Sequence, residues 1–135
     1  MRRSVLLGYQ WLTGLSDAST GVLLCVAPLF TLQLMGVRAE AVDAPYVSYI
    51  GAFVLAVGLS CLYGAYVIGG RLGCERLEVV WVLTALLRSA VAIYLVKAVL
   101  TGALPPAWLS VAMFDGVCAL IQYVGLKRKW IANAE

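Results

Sequence analysis

Four apolar runs, at roughly residues 5–35, 45–69, 78–100 and 105–127, follow one another through nearly the whole chain. A helix needs about 20 consecutive apolar residues to cross the hydrocarbon core of a bilayer. Lipid offers the backbone no hydrogen-bond partners, so such runs are constrained to be helical. Hydrophobic residues make up 63% of the 135, and charged residues only 13%, about half the share found in soluble domains. The expectation is an all-α membrane protein with a single transmembrane domain, 1–135, and no soluble domain.

The first run follows Arg2 and Arg3 but continues past Asp17, Thr20 and Pro28 to Gly36. A secretory signal has an apolar core of about 7–15 residues, so this run reads as a retained span. Pro28 lacks a backbone donor and is expected to kink its outer half. Breakers fall between the runs: Gly36 to Pro45, then GGRLGCE (69–75) and TGALPPAW (101–108). Connections this short make sequential neighbours antiparallel, which predicts an up-down bundle of four helices.

Positive residues remain on the cytoplasmic side. Arg2, Arg3, Arg71, Arg76, Lys127, Arg128 and Lys129 fall on one side of a four-span chain, against Arg38 and Lys97 on the other. Both termini are therefore expected in the cytoplasm. The net charge of +3 is then a topology signal and calls for no nucleic-acid partner. Trp11, Trp81, Trp108 and Trp130 lie towards span ends, as interfacial anchors do. Tyr46 and Tyr49 read the same way, while Tyr63 and Tyr66 read either as anchors or as the lining of a quinone cleft.

Helices associate in lipid through close packing and buried polar contacts. Ala52, Ala56, Ser60 and Gly64 recur every four residues on the second span, with Gly51 and Gly58 beside them. They are the expected packing face, towards a helix of the same chain or of a second copy.

The third run reads TALLRSAVAIYLV (84–96), with Arg88 inside it. At about 1.5 Å per helical residue, Asp17 lies roughly 21 Å from Arg3, Arg88 about 15 Å from Glu78, and Asp115 roughly 18 Å from Lys127. The three share one depth near the midplane. A lone charge there costs on the order of 3 kcal/mol or more, so pairing is expected, with the planar arginine fork holding both carboxylates. One cation against two ionised aspartates leaves the layer at −1, and one aspartate is expected to carry a proton. Helical spacing extends the layer into a stripe: Gln10, Thr13, Asp17 and Thr20; Trp81, Thr84 and Arg88; Trp108, Asp115, Cys118 and Gln122. Two readings stay open. The stripe either fixes helix register and satisfies itself, or binds a polar head group, a quinone or a proton.

The chain has no histidine, which excludes histidine-ligated haem, di-iron sites of the Glu-x-x-His type and most zinc sites. Its cysteines, 25, 61, 74 and 118, form no C-x-x-C. None lies in an outer loop, which argues against an enzyme working through an exposed disulfide pair. Cys74 reads as a loop residue, and the others as small buried apolar side chains. Neither a phosphate-cradling G-x-x-x-x-G-K nor a G-x-S-x-G elbow is present. Glu40 and Asp43 in the first outer loop read as solvated, with contact to a partner the alternative.

The order of features resembles the DoxX-like family of small four-helix membrane proteins. The likeness is carried by GLSDASTG followed by APLFTLQLMG in the first span and by GAFVLAVGLSCLYGA in the second. WVLTALLR in the third span and MFDGVCAL in the fourth complete it. The resemblance implies association with membrane redox systems in a bacterial-type inner membrane. It implies a core position for Asp17, Arg88 and Asp115, and transfers no catalytic residue. The resulting expectation is a non-catalytic accessory or anchoring subunit of a redox- or quinone-related complex, with no metal and no cofactor beyond a bound quinone or lipid. Its partners would be membrane lipid and another membrane protein or a second copy. The alternative is a small proton-coupled carrier or a quinone- or lipid-binding protein.

Overall fold

The computed structural model describes residues 3–37, 44–70 and 74–132, and among them every regular element is helical. The elements are α1 (Arg3–Val26), α2 (Pro28–Leu34), α3 (Ala44–Gly69), α4 (Cys74–Leu100) and α5 (Leu109–Lys127), with a single 3-10 turn, Pro106–Trp108, leading into α5. Three segments are long and apolar enough to cross a membrane: Ala44–Gly69, Glu75–Leu100 and Pro106–Lys127. With α1 as a fourth long helix beside them, the chain has the make-up of a multi-pass membrane protein.

The first run is two helices rather than one. Ala27 leaves helical geometry at φ −141° and ψ 61°, and Pro28 opens α2. The hydrogen-bond ladder is nevertheless carried across the break by Ala27 N–H to Leu23 O (2.8 Å) and Thr31 N–H to Ala27 O (3.0 Å). What is lost is the donor that proline lacks, and the chain bends there. Cys74, read from sequence as a loop residue, is the first residue of α4.

Helix ends are closed by local backbone chemistry. Gly36, at φ 76°, follows α2 and turns the chain so that Val37 N–H reaches Leu32 O (2.9 Å). Gly102, at φ 73°, does the same after α4, with Ala103 N–H on Ala98 O (2.8 Å). Both are the left-handed helix cap that glycine adopts without a Cβ penalty. After α5 the left-handed residue is Lys129, and Trp130 N–H returns to Gly125 O at 2.9 Å. That turn delivers Ile131 into the interior.

The tightest packing joins α1 to α3, and its register is written in glycine. A Cβ at Gly14 would meet Leu62, one at Gly21 the backbone of Leu55, one at Gly51 Leu24 and Cys25, and one at Gly58 the backbone of Ala18. Residue numbers rise along one helix as they fall along the other, so the pair is antiparallel. Of Ala52, Ala56, Ser60 and Gly64, Gly64 belongs to this contact, buried against Gln10 of α1 and also against Leu77 of α4, whereas Ala52, Ala56 and Ser60 are exposed. A stripe of every fourth residue drifts roughly 40° per step around a helix of 3.6 residues per turn. The contact instead follows Gly51 and Gly58, then Cys61 and Ala65, the alternating three- and four-residue spacing that stays on one side.

α4 and α5 form a second antiparallel pair, through Arg88 with Asp115, Thr84 with Gln122 and Trp81 with Gly125. Two apolar clusters lie at opposite ends of the molecule. Leu6, Val67, Leu77, Trp81 and Ile131 gather near the start of α1 and the end of α5, and Leu24, Leu32, Val37 and Val47 gather beside α2. Arg3 closes the first end by donating to Ile68 O and, at 3.5 Å, to Gly69 O, the last carbonyls of α3.

Candidate functional site

Between the two apolar clusters the structure brings Asp17, Arg88 and Asp115 together. Arg88 donates through Nη2 to Asp17 Oδ2 and through Nη1 to Asp115 Oδ1, the latter at 2.6 Å. One guanidinium thus ties α1, α4 and α5, using a separate nitrogen for each carboxylate. The Arg88 side chain is 2% exposed, Asp17 10% and Asp115 16%. The layer is therefore closed around its cation and slightly open at its anions, above all at Asp115. The Phe114 ring lies 5.5 Å from the guanidinium carbon, within the range of a cation–π contact.

Towards the start of α1 the stripe continues as a set of uncharged side chains. Gln122 Nε2 donates to Thr84 Oγ1 (2.8 Å), and Thr84 donates to Val80 O (2.7 Å) on its own helix. Gln10 Nε2 donates to Cys61 O on α3 (3.3 Å), and Thr13 donates to Tyr9 O (2.9 Å). Thr20, one turn beyond Asp17, is half-buried. Gln10, Thr13, Thr84 and Gln122 are all buried, yet the polar account does not balance. Gln10 Oε1, Trp81 Nε1, Arg88 Nε and Gln122 Oε1 are buried with no hydrogen-bond partner. Trp108, the outermost member of the α5 stripe by spacing, packs instead against the apolar cluster beside α2. The short 3-10 turn ahead of α5 takes it out of helical phase with Asp115.

Sequence reading missed three participants. Tyr9 packs edge-on against Trp81, with ring centroids 5.5 Å apart, and donates to Cys118 O at 3.2 Å. Its signal was present, since residues 9, 13 and 17 are spaced by four. Cys61 places its thiol beside Thr13 and the Arg88 guanidinium, so it borders the charged layer rather than lying in purely apolar surroundings. Nothing on its own apolar helix marks it. Phe114 was equally silent, as one apolar residue among many. Tyr63 and Tyr66 are exposed on the outer side of α3. Glu40 and Asp43 lie outside the described residues.

Chemically, the arrangement can hold helices together, bind a proton or accept a small hydrogen-bonding guest. Among the described residues no group of histidine, cysteine and carboxylate side chains is placed to hold a metal ion. Comparison with protein-family models, curated proteins and solved structures finds no match.

Proposed function

We propose that this chain is a non-catalytic accessory or anchoring subunit of a membrane complex, redox- or quinone-related as the DoxX-like resemblance implies. In this reading it crosses a bacterial-type cytoplasmic membrane four times as an up-down bundle with both termini inside. The observation that carries the proposal is the Arg88 clasp. Every formal charge of the buried layer is engaged with another, across three helices, as a register-fixing core requires. Arg3 seated on the end of α3 supports a common side for the N-terminus and the loop after α3. The charge bias of the loops supports the cytoplasm as that side.

Extraction into a mild detergent followed by native mass spectrometry tests the proposal. The expected spectrum contains a second membrane protein, or a second copy, bound to the chain in fixed ratio, with any retained quinone or lipid resolved as added mass. A bare monomer in every detergent that preserves the fold would overturn it.

A second reading, a small proton-coupled carrier or a quinone- or lipid-binding protein, is favoured by one observation. The charged layer lies between two apolar clusters, and its least buried member is an aspartate. This reading predicts that liposomes containing the protein take up protons under an imposed potential, reported by an internal pH dye. Asp115→Asn should abolish that uptake while the circular dichroism spectrum persists. Equal uptake in the variant and the parent would eliminate it.

A further inference from the structure

We infer that the seam below the charged layer is a binding site for ordered water, held by Gln10, Trp81 and Gln122. The three side chains are fully buried, each at 0% exposure, and each leaves one polar atom without a partner. They come from three helices and sit within two turns of the charged residue on their own helix: Gln10 below Asp17, Trp81 below Arg88, and Gln122 below Asp115. Contacts between them draw the set together. Gln122 is bonded to Thr84, one turn from Trp81. Trp81 packs against the ring of Tyr9, the chain neighbour of Gln10.

The chemistry of the orphan atoms selects the ligand. Gln10 Oε1 and Gln122 Oε1 are acceptors that lack a donor, and Trp81 Nε1 is a donor that lacks an acceptor. A water molecule has two hydrogens to give and a lone pair to receive, so water answers both kinds of orphan, carbonyl oxygen and indole N–H alike. Turning either amide over offers no escape: it would set the Gln10 oxygen against Cys61 O, and at Gln122 it would exchange an unpaired oxygen for an unpaired NH2. A buried polar atom left unpaired costs about 1–3 kcal/mol, and three in one region are a strong pull on water. The cluster of Leu6, Val67, Leu77 and Ile131 seals the seam at the near end of the molecule. The guest is therefore a small, uncharged, trapped molecule rather than part of an open channel. Arg88 Nε, also unpartnered, faces the same need for an acceptor two turns further on. The inference stands independently of which function the clasp serves.

Radiolytic footprinting in lipid nanodiscs tests this, because millisecond X-ray exposure makes hydroxyl radicals from water in place and oxidises the side chains that touch it. Trp81 is expected to be oxidised at least tenfold faster than Phe53, which lies on the outer face of α3 towards its middle and is covered by lipid chains in the nanodisc. Gln122→Leu and Gln10→Leu should each lower Trp81 oxidation at least fivefold. The two variants serve as independent checks should one fail to fold. Trp81 oxidised no faster than Phe53 in the parent protein would overturn the inference. So would fast oxidation that survives both substitutions, since the water would then not be held by these amides.

Discussion

Replacing Arg88 by leucine is expected to destabilise the protein by about 3–5 kcal/mol, the usual cost of removing one partner from a buried ionic network. Asp17 and Asp115 would be left facing each other across the gap where both now accept from the guanidinium. Neither has an alternative cation among the described residues. The aspartates are not symmetrical with the arginine in this respect. Asp17→Asn or Asp115→Asn alone still leaves Arg88 one carboxylate to pair with, and the asparagine takes the place of the carboxyl that is expected to carry a proton. Each single change is therefore expected to cost about 1 kcal/mol, the scale of one hydrogen bond. The double variant Asp17→Asn/Asp115→Asn strands the cation and should fall as far as Arg88→Leu. Unfolding in mixed micelles of increasing SDS content, followed by circular dichroism, measures all four. A double variant no worse than the sum of two mild singles would show that the layer is not an ionic clasp.

Gly58→Ala is the second large effect, because the added carbon would land on the backbone nitrogen of Ala18 and 2.9 Å from the carbonyl carbon of Asp17. Backbone cannot swing aside as a side chain does, so α1 and α3 must separate. The expected cost is about 1–3 kcal/mol for overpacking, and more for Gly58→Leu. Gly8→Ala is the control. It lies in the same α1 with nothing within 4 Å of its new carbon, and is expected to be neutral or stabilising by up to about 1 kcal/mol. Because the Gly58 contact is the peptide of Asp17 itself, Gly58→Ala should also displace the clasp. Combined with Asp17→Asn it should cost less than the two changes summed. Strict additivity would show that the packing and the ion pair are independent.

The helical class and the charged layer were legible in the chain because both rest on short-range rules. Lipid-length apolar runs must be helical, and a fixed rise per residue converts sequence distance into depth. Asp17, Arg88 and Asp115 could be matched from three separate runs because ionisable residues are conspicuous against an apolar background. The packing face of α3 was legible only in part, for the opposite reason. On a helix made almost wholly of small and apolar residues every face is permissible, and the choice of Gly51 and Gly58 over Ala52 and Ala56 depends on which neighbour approaches and from where. The same holds for Cys61, whose place beside Arg88 follows from the close approach of α1 and α3. The split at Ala27 was half visible, since Pro28 announces a bend but not how far it goes.

Taken alone, the sequence determined that the chain is helical, that it is apolar enough for a membrane, and that three buried charges lie at one depth. The tertiary structure decided which nitrogen of Arg88 meets which aspartate, which glycines let α1 and α3 touch, and which polar atoms are left without partners. The physical reason is the range of the forces. Helix formation and depth follow from bonds and spacings within a few residues, whereas an ion pair or a glycine contact exists only once helices distant in the chain have been brought within a few ångströms.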